Sequence, residues 1–374
     1  MVETFRNIDK SVLRLVALRK RPLKGTSMKQ IIARGFRWLA KLVEGEKNES
    51  YEPELPQVIE QSPSPKEIET TKGNKLTTKT IKQKKNERNP TVRRKKIKEG
   101  EEITIDPRDI RDVMETMEVP FLSLSKNRTA PINYESPDGK IKVRISCHTN
   151  HYLASIYDWD IVLFVASKMQ EIINSGNDIP PRTLIVPRHE LLESLYKHDG
   201  KKEEKDLRAT LARLKLTGIE TTIRNEDGRY DAGFGFLDSW GYTDRKDVRE
   251  FRITLSQWLY DGICKKGSLL KVRPEYFRLT SGLKKFLYRT ARKHVGSRNK
   301  LWDFLPETLY EKSGSEREFK KFKHDLKKAV SDDDIPEYFM KWIEKDGKEY
   351  VRFISMKQEI GAILTDSEHV SEIL

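Results

Sequence analysis

The sequence predicts an α+β protein in which one helix–strand–helix–helix–hairpin plan occurs twice in succession, preceded by a largely disordered basic N-terminal region. Three observations carry this. The composition changes sharply near residue 119, the apolar residues beyond it fall into alternating helical and strand periods, and the order of those periods repeats.

Before the change, Tyr51 to Pro65 is rich in Pro, Glu, Gln and Ser, and Thr71 to Lys98 holds twelve Lys or Arg against one acid. Neither stretch has enough apolar surface to offset its ordering entropy, so 46–118 reads as a disordered basic linker. Residues 1–45 form a short basic region ahead of it. There Met28, Ile31, Ile32, Phe36, Leu39, Leu42 and Val43 share one helical face, with Arg34, Arg37 and Lys41 opposite. A helix this short, with no lipid attached, suits docking on protein better than on a membrane.

The first copy opens with a helix carrying Ile161, Phe164, Val165, Lys168, Met169 and Ile172, with Asp158 as its expected cap. A strand at Thr183–Val186 leads to Pro187, which starts a second helix with Leu191, Leu192 and Leu195. A turn at Asp199-Gly200 precedes a third, with Leu207, Leu211 and Leu214 on one face and Gly218 expected to end it. Strands follow at Ile219–Arg224, Phe234–Tyr242 and Glu250–Leu255, the first two split by a turn at Asn225-Glu226-Asp227-Gly228.

The second copy repeats the order. A helix over Leu279–Val295 turns Leu283, Phe286, Leu287 and Thr290 inward, and Leu301–Leu305 leads to a helix opened by Pro306. After a turn at Ser313-Gly314 comes a helix from Glu316 to Val330. Strands Glu337–Glu344 and Tyr350–Ile354 are then joined through Lys345-Asp346-Gly347-Lys348. This is the order of a winged helix, so the prediction is two tandem winged-helix domains, 119–265 and 266–357, with a C-terminal tail at 358–374.

The helix from 316 carries the sharpest signal. Ser315 and Glu318 have the spacing of a capping box, and Phe319, Phe322, Leu326 and Val330 define a core arc. Opposite lie Arg317, Lys320, Lys321, His324, Lys327 and Lys328 with no acid among them. A solvated face usually mixes signs through Glu–Lys pairs, so a single-sign arc behind a tight turn points to contact with DNA. The matching helix of the first copy offers Lys205, Arg208 and Lys215, but Glu203, Glu204 and Asp206 stand beside them. It suits DNA or a protein interface equally.

The chain's formal charge of +14, with net +8 in residues 1–118, favours a polyanionic partner, because each cation placed on a phosphate releases a condensed counterion. Two cysteines, Cys147 and Cys264, make no disulfide framework, and a reducing cytoplasm is expected. The longest apolar run, Ile161 to Ala166, is far too short to span a membrane. Cys147, His148 and His151 lie on an alternating segment that turns them to different faces, so no metal or other cofactor is expected. The run Gly233-Phe234-Gly235-Phe236-Leu237-Asp238-Ser239-Trp240 has the look of an RNA-stacking strand, but core packing of a wing strand, with Gly allowing close backbone approach, fits its context better. No phosphate-binding G-x-x-x-x-G-K-[ST] loop, paired nickase histidines or oriented nucleophile occurs, so no enzymatic activity is expected.

With those residues in view, the chain resembles the plasmid replication initiator protein A family. The resemblance runs through Phe121-Leu122-Ser123-Leu124-Ser125-Lys126, Ile156-Tyr157-Asp158-Trp159-Asp160-Ile161, the Gly233–Trp240 run and Thr254-Leu255-Ser256-Gln257-Trp258-Leu259-Tyr260. It continues through Tyr276-Phe277-Arg278-Leu279, Leu287-Tyr288-Arg289-Thr290-Ala291-Arg292-Lys293-His294 and Lys312-Ser313-Gly314-Ser315, covering roughly 120–355. It implies a protein that binds repeats of double-stranded DNA at a plasmid origin, helps open the duplex and recruits host replication proteins such as helicase and initiator. It also implies a monomer–dimer equilibrium, with pairing through the first winged helix. A repressor acting only on its own operator is the alternative, and a nickase or primase-like enzyme is a third reading.

Overall fold

The computed structural model describes residues 109–356, apart from 177–178, 225–232, 246–247 and 297. The amphipathic segment 28–43, most of the expected linker, the turn at 225–228 and the tail 358–374 therefore lie outside the described residues. The architecture is mixed α and β, with seven α-helices and four small sheets among the described residues.

The chain enters the fold within the stretch read as linker. Strand β1 (Ile110–Val113) pairs antiparallel with β9 (Leu269–Val272), and a 3-10 turn (Met114–Met117) follows it. Ile110, Asp112, Val113, Thr116 and Met117 are all buried. Residues 109–118, read as linker, thus belong to the fold. The acidic composition of 99–118 hid a strand whose carboxylate, Asp112, is itself an interior group.

The first unit runs α1 (Trp159–Asn174), β4 (Thr183–Pro187), α2 (Arg188–Ser194), α3 (Lys201–Leu216), then the hairpin β7 (Leu237–Arg245) and β8 (Val248–Leu255), followed by α4 (Gln257–Cys264). Its sheet order is β4-β8-β7. The second unit runs α5 (Gly282–His294), β10 (Leu301–Phe304), α6 (Pro306–Ser313), α7 (Phe319–Asp332), β11 (Tyr338–Lys345) and β12 (Lys348–Ser355), with sheet order β10-β12-β11. The two orders correspond strand for strand: the first strand pairs with the last, and the last with the middle one.

The first unit also carries an extra sheet. Strand β5 (Thr217–Thr221) leaves the end of α3 without a break and joins β2 (Ile132–Glu135), β3 (Lys142–Cys147) and β6 (Gly233–Phe234) in the order β2-β3-β5-β6. Gly218 therefore lies inside a strand instead of ending the helix; Thr217 makes the switch with extended backbone, its hydroxyl donating to the Arg213 carbonyl at 2.8 Å. Asp158 occupies the N-cap position of α1 but caps nothing. Its carboxylate accepts from Ser155 and, at 2.6 and 3.0 Å, from both arms of Arg213, because a buried carboxylate is better satisfied by a guanidinium fork than by one helical N–H. The β11–β12 turn is the expected two-residue Asp346-Gly347, with φ of +52° and +69°.

One continuous apolar core spans both units. α1 is buried on nearly every side, as its unbroken Ile161–Ala166 run requires. α5 is buried too, although only part of it is apolar. Phe286, Leu287 and Thr290 face inward as expected, while Lys285 and Arg289 are buried as well. Lys285 reaches both oxygens of Asp160 at 2.8 and 2.9 Å, and Arg289 donates to Asp112 at 2.7 Å. These two buried cations of α5 thus serve the first unit and the β1 segment, while Lys284 stays within the second unit, on Asp332 and Asp334 at 2.9 and 2.7 Å.

Glu118 joins the same seam. Its carboxylate meets Lys293 and Lys312 at 2.5 Å each and His294 at 3.5 Å. Burial alone would raise its pKa, but the hydrogen bond from His294 and the charges of Lys293 and Lys312 outweigh that and hold it well below the ordinary carboxylate range. A carboxyl depressed in the folded state adds stability above its unfolded value and loses it as pH falls toward the folded one. Glu118→Gln is therefore expected to lower stability at neutral pH and to flatten the loss of stability on acidification. Urea titrations over a pH series would show this, and parallel curves for the two proteins would refute it.

Candidate nucleic-acid interface

The second-unit helix pair is built around a tight left-handed turn. α6 ends at Gly314, whose φ of +58° suits the only residue without a Cβ. A Cβ there would lie 2.7 Å from Pro120 Cβ and 3.0 Å from Ile132 Cγ2, so the turn is pressed against the first unit. The capping box does not form. Ser315 Oγ accepts from the Arg317 N–H at 3.2 Å, Tyr310 donates to the Arg317 carbonyl at 2.9 Å, and α7 starts only at Phe319. Ser315 serves a local turn instead, which competes with helix entry.

Within α7 the two faces fall where the spacing places them. Phe322, Leu326, Ala329 and Val330 are buried and Phe319 is half-buried, with Phe319 and Phe322 packed edge-on against Tyr310 at 5.4 and 5.2 Å. Lys320, Lys321, His324, Lys327 and Lys328 are exposed on the opposite arc.

The arc is not of a single sign, however. Arg317 lies ahead of the helix and pairs with Asp325 at 2.5 Å, while Lys321 pairs with Glu318 at 3.2 Å. Lys327 pairs with Glu349 on β12 at 3.0 Å and sits 4.7 Å over the Trp342 ring, and Lys323 reaches the same carboxylate at 2.6 Å. Lys323 and then Lys327 hold the Glu349 carboxyl down to about 2. Asp325 lies between the two arcs of α7 and Glu349 arrives from another element, so neither shows among the charges of the outer arc. Lys320, His324 and Lys328 make no ion pair among the described residues.

On α3 the signs stay mixed. Of its three acids, Glu204 is turned onto buried Arg188 at 2.6 Å and also accepts from Tyr242 at 2.9 Å, while Glu203 and Asp206 remain beside the cations. Lys205, Arg208 and Lys215 are all exposed. Arg208 bonds Glu204 at 2.6 Å and stacks on Tyr242 at 4.2 Å, and Lys215 donates to the Asp238 carbonyl. Of these three, Lys205 alone makes no protein contact that ties it down, and Lys201 and Lys202 stand exposed beside it.

The glycine–aromatic run is core material. Phe236 is buried edge-on against Trp159 at 5.2 Å, and Phe234 stacks on Trp258 at 5.1 Å. Gly235 brings backbones close, since a Cβ there would lie 2.9 Å from the Lys215 carbonyl oxygen. Cys147 Sγ donates to the His151 carbonyl at 3.1 Å, while the His148 and His151 side chains are exposed. Sequence reasoning read the tip of the β11–β12 hairpin as a turn and not as a candidate contact. There Lys345 and Lys348 flank the Asp346-Gly347 turn and are exposed, a signal available from the hairpin motif itself.

Each of the two units thus carries a helix that follows a turn and presents exposed cations. The model of the family described as replication initiator protein A matches residues 111–340, and the chain belongs to that family. A putative replication protein from Wigglesworthia glossinidia brevipalpis is 30% identical over 256 residues, covering 66% of this chain and 90% of that protein. Two crystal structures of domains 2 and 3 of RctB are similar at 13% identity, with TM-scores of 0.48 and 0.43. They cover 67% and 65% of this chain and 99% and 96% of their own. No helix among the described residues is long and apolar enough to cross a membrane.

Proposed function

We propose that this chain is an origin-binding initiator that reads repeats of double-stranded plasmid DNA with two winged helices, assists opening of the origin and recruits host helicase and initiator proteins. It acts in the cytoplasm, in a monomer–dimer equilibrium and with no catalytic step of its own. The observation that carries this reading is α7: a helix behind a left-handed turn, apolar on its inner arc and presenting Lys320, Lys321, His324, Lys327 and Lys328 outward. That is the position from which helix-turn-helix proteins enter the major groove. The matching sheet orders β4-β8-β7 and β10-β12-β11 support a winged helix in each unit, with each hairpin as its wing.

Footprinting the full chain on its own replicon over a salt series tests it. With roughly six cations on phosphates or base edges, the log–log slope of affinity against salt should be about −5. A slope near zero would remove the groove contact. Protection of repeated sites with permanganate-reactive thymines nearby is expected of an initiator; one protected operator without melting would reduce the protein to a repressor.

A further inference from the structure

Arg128 belongs to no helix, strand or basic face, yet its side chain is buried and three of its N–H groups reach backbone carbonyls. Nε donates to Ala130 and Nη2 to Pro131, each at 2.8 Å, which closes its own loop. Nη1 donates to Gly314, the αL residue of the α6–α7 turn, 186 residues further along the chain, and the Glu316 carboxylate lies 3.9 Å from Nε. In the other direction, the Arg128 carbonyl accepts from Leu153 N–H at 2.8 Å. The next residue, Ala154, donates to Thr217 Oγ1 at 2.8 Å, and that hydroxyl donates to Arg213 in the last turn of α3. A short line of hydrogen bonds therefore runs from the end of α3 to the turn that precedes α7, and in it Arg128 is the side chain that crosses between the units. Pro120 and Ile132, packed against Gly314, close the turn from the same side.

From this we infer that Arg128 is a positioning residue that fixes α7 relative to α3, so that both helices meet the duplex as one rigid frame with a set spacing; this rests on the duplex reading proposed above. A planar guanidinium fork can serve three carbonyls in one fixed arrangement. A lysine ammonium is a point charge on a flexible stem and cannot. When two linked binding elements lose their fixed geometry, the second contact loses effective concentration and the preference for one spacing broadens.

The test has two arms, both on the full chain. In the first, nitroxide labels at K205C and H324C, in a C147S/C264S background, report the α3–α7 distance by double electron–electron resonance without DNA. The parent should give one narrow distribution, and R128A and R128K broader ones. In the second arm, unlabelled proteins are titrated against duplexes in which the spacing between the two protected segments is changed by single base pairs. The parent should lose affinity sharply off its natural spacing. R128A should bind the natural site about tenfold more weakly and discriminate little between spacings, a change that simple destabilisation would not produce. Should R128A melt too low to use, R128K carries both arms. Narrow distances and an unchanged spacing preference in both variants would overturn the inference. If the parent binds no duplex, the DNA reading has failed, and the distance arm still decides whether Arg128 holds the two helices.

Discussion

Reversing Lys320 and Lys328 together, as K320E/K328E, is expected to abolish specific duplex binding while leaving the fold intact. Both side chains are exposed, and neither makes an ion pair among the described residues. Their change therefore breaks no internal bond, and Phe322, Leu326 and Val330 remain packed beneath them. Each lost base-edge or phosphate contact costs on the order of 1–3 kcal/mol, and a carboxylate facing phosphate adds repulsion. Two such changes should take a specific complex down to the level of non-specific binding. Lys327 is a poorer choice, because reversing it would also disturb Glu349 and the ring of Trp342. For α3 the matched change is K201E/K205E, since Arg208 and Lys215 both hold structure. It should weaken binding to a smaller extent and shift the monomer–dimer ratio if the first unit supplies the dimer contact. Footprints and sedimentation on both pairs, with thermal melts as the control, would show the division. Equal losses in the two, with assembly unchanged, would overturn it.

Asp112→Ala should be among the most destabilising single changes in the described fold. The carboxylate is 0% exposed and receives the Arg289 Nε at 2.7 Å, the Trp159 indole N–H at 2.8 Å and the Val113 N–H at 2.8 Å. Arg289, itself buried, has Thr116 as its remaining partner, at 2.8 Å. Removing the anion leaves a desolvated guanidinium without a counter-charge, which costs about 3–5 kcal/mol in comparable sites. Against a total stability of roughly 5–15 kcal/mol this is a large share. The double variant D112A/R289M should recover much of the loss, because replacing both charges with apolar volume removes the unpaired group. For the same reason, a chain begun at residue 119 should be far less stable than one begun at 109. Urea unfolding of the single, double and truncated proteins tests all three expectations. An Asp112→Ala change worth less than about 1 kcal/mol, within the range of a neutral hydrogen bond, would show that the pair does not hold the units together.

Much of the local structure was legible because local periodicity decides it. The apolar spacing of Phe322, Leu326 and Val330 placed the buried arc of α7, Pro306 opened α6, and Asp346-Gly347 set the β11–β12 turn, with the strand pairing confirming its register. Each of these depends on residues within a few positions of one another, where backbone sterics and side-chain period leave few options. The same holds for the exposed cations of α7, which need only the helix period to share a face. The failures lie where a partner comes from far along the chain. Asp158 and Ser315 have the chemistry of caps, but Arg213 claims one and a local turn the other. Glu349 reaches α7 from β12, 22 residues beyond Lys327, so counting charges along the helix missed it.

The sequence by itself determined the order of helices and strands, the repeat of that order, and which side of α7 faces out, because these follow from hydrophobic period, turn chemistry and charge type. Tertiary structure alone decided that residues 109–118 belong to the fold, that Lys285 and Arg289 of α5 lie inside it, and that Arg128 grips the turn before α7. Burying a charge is favourable only where an opposite charge or a set of carbonyls is already held in place. Here those partners stand between 125 and 186 residues away in the chain, at Asp160, Asp112 and Gly314.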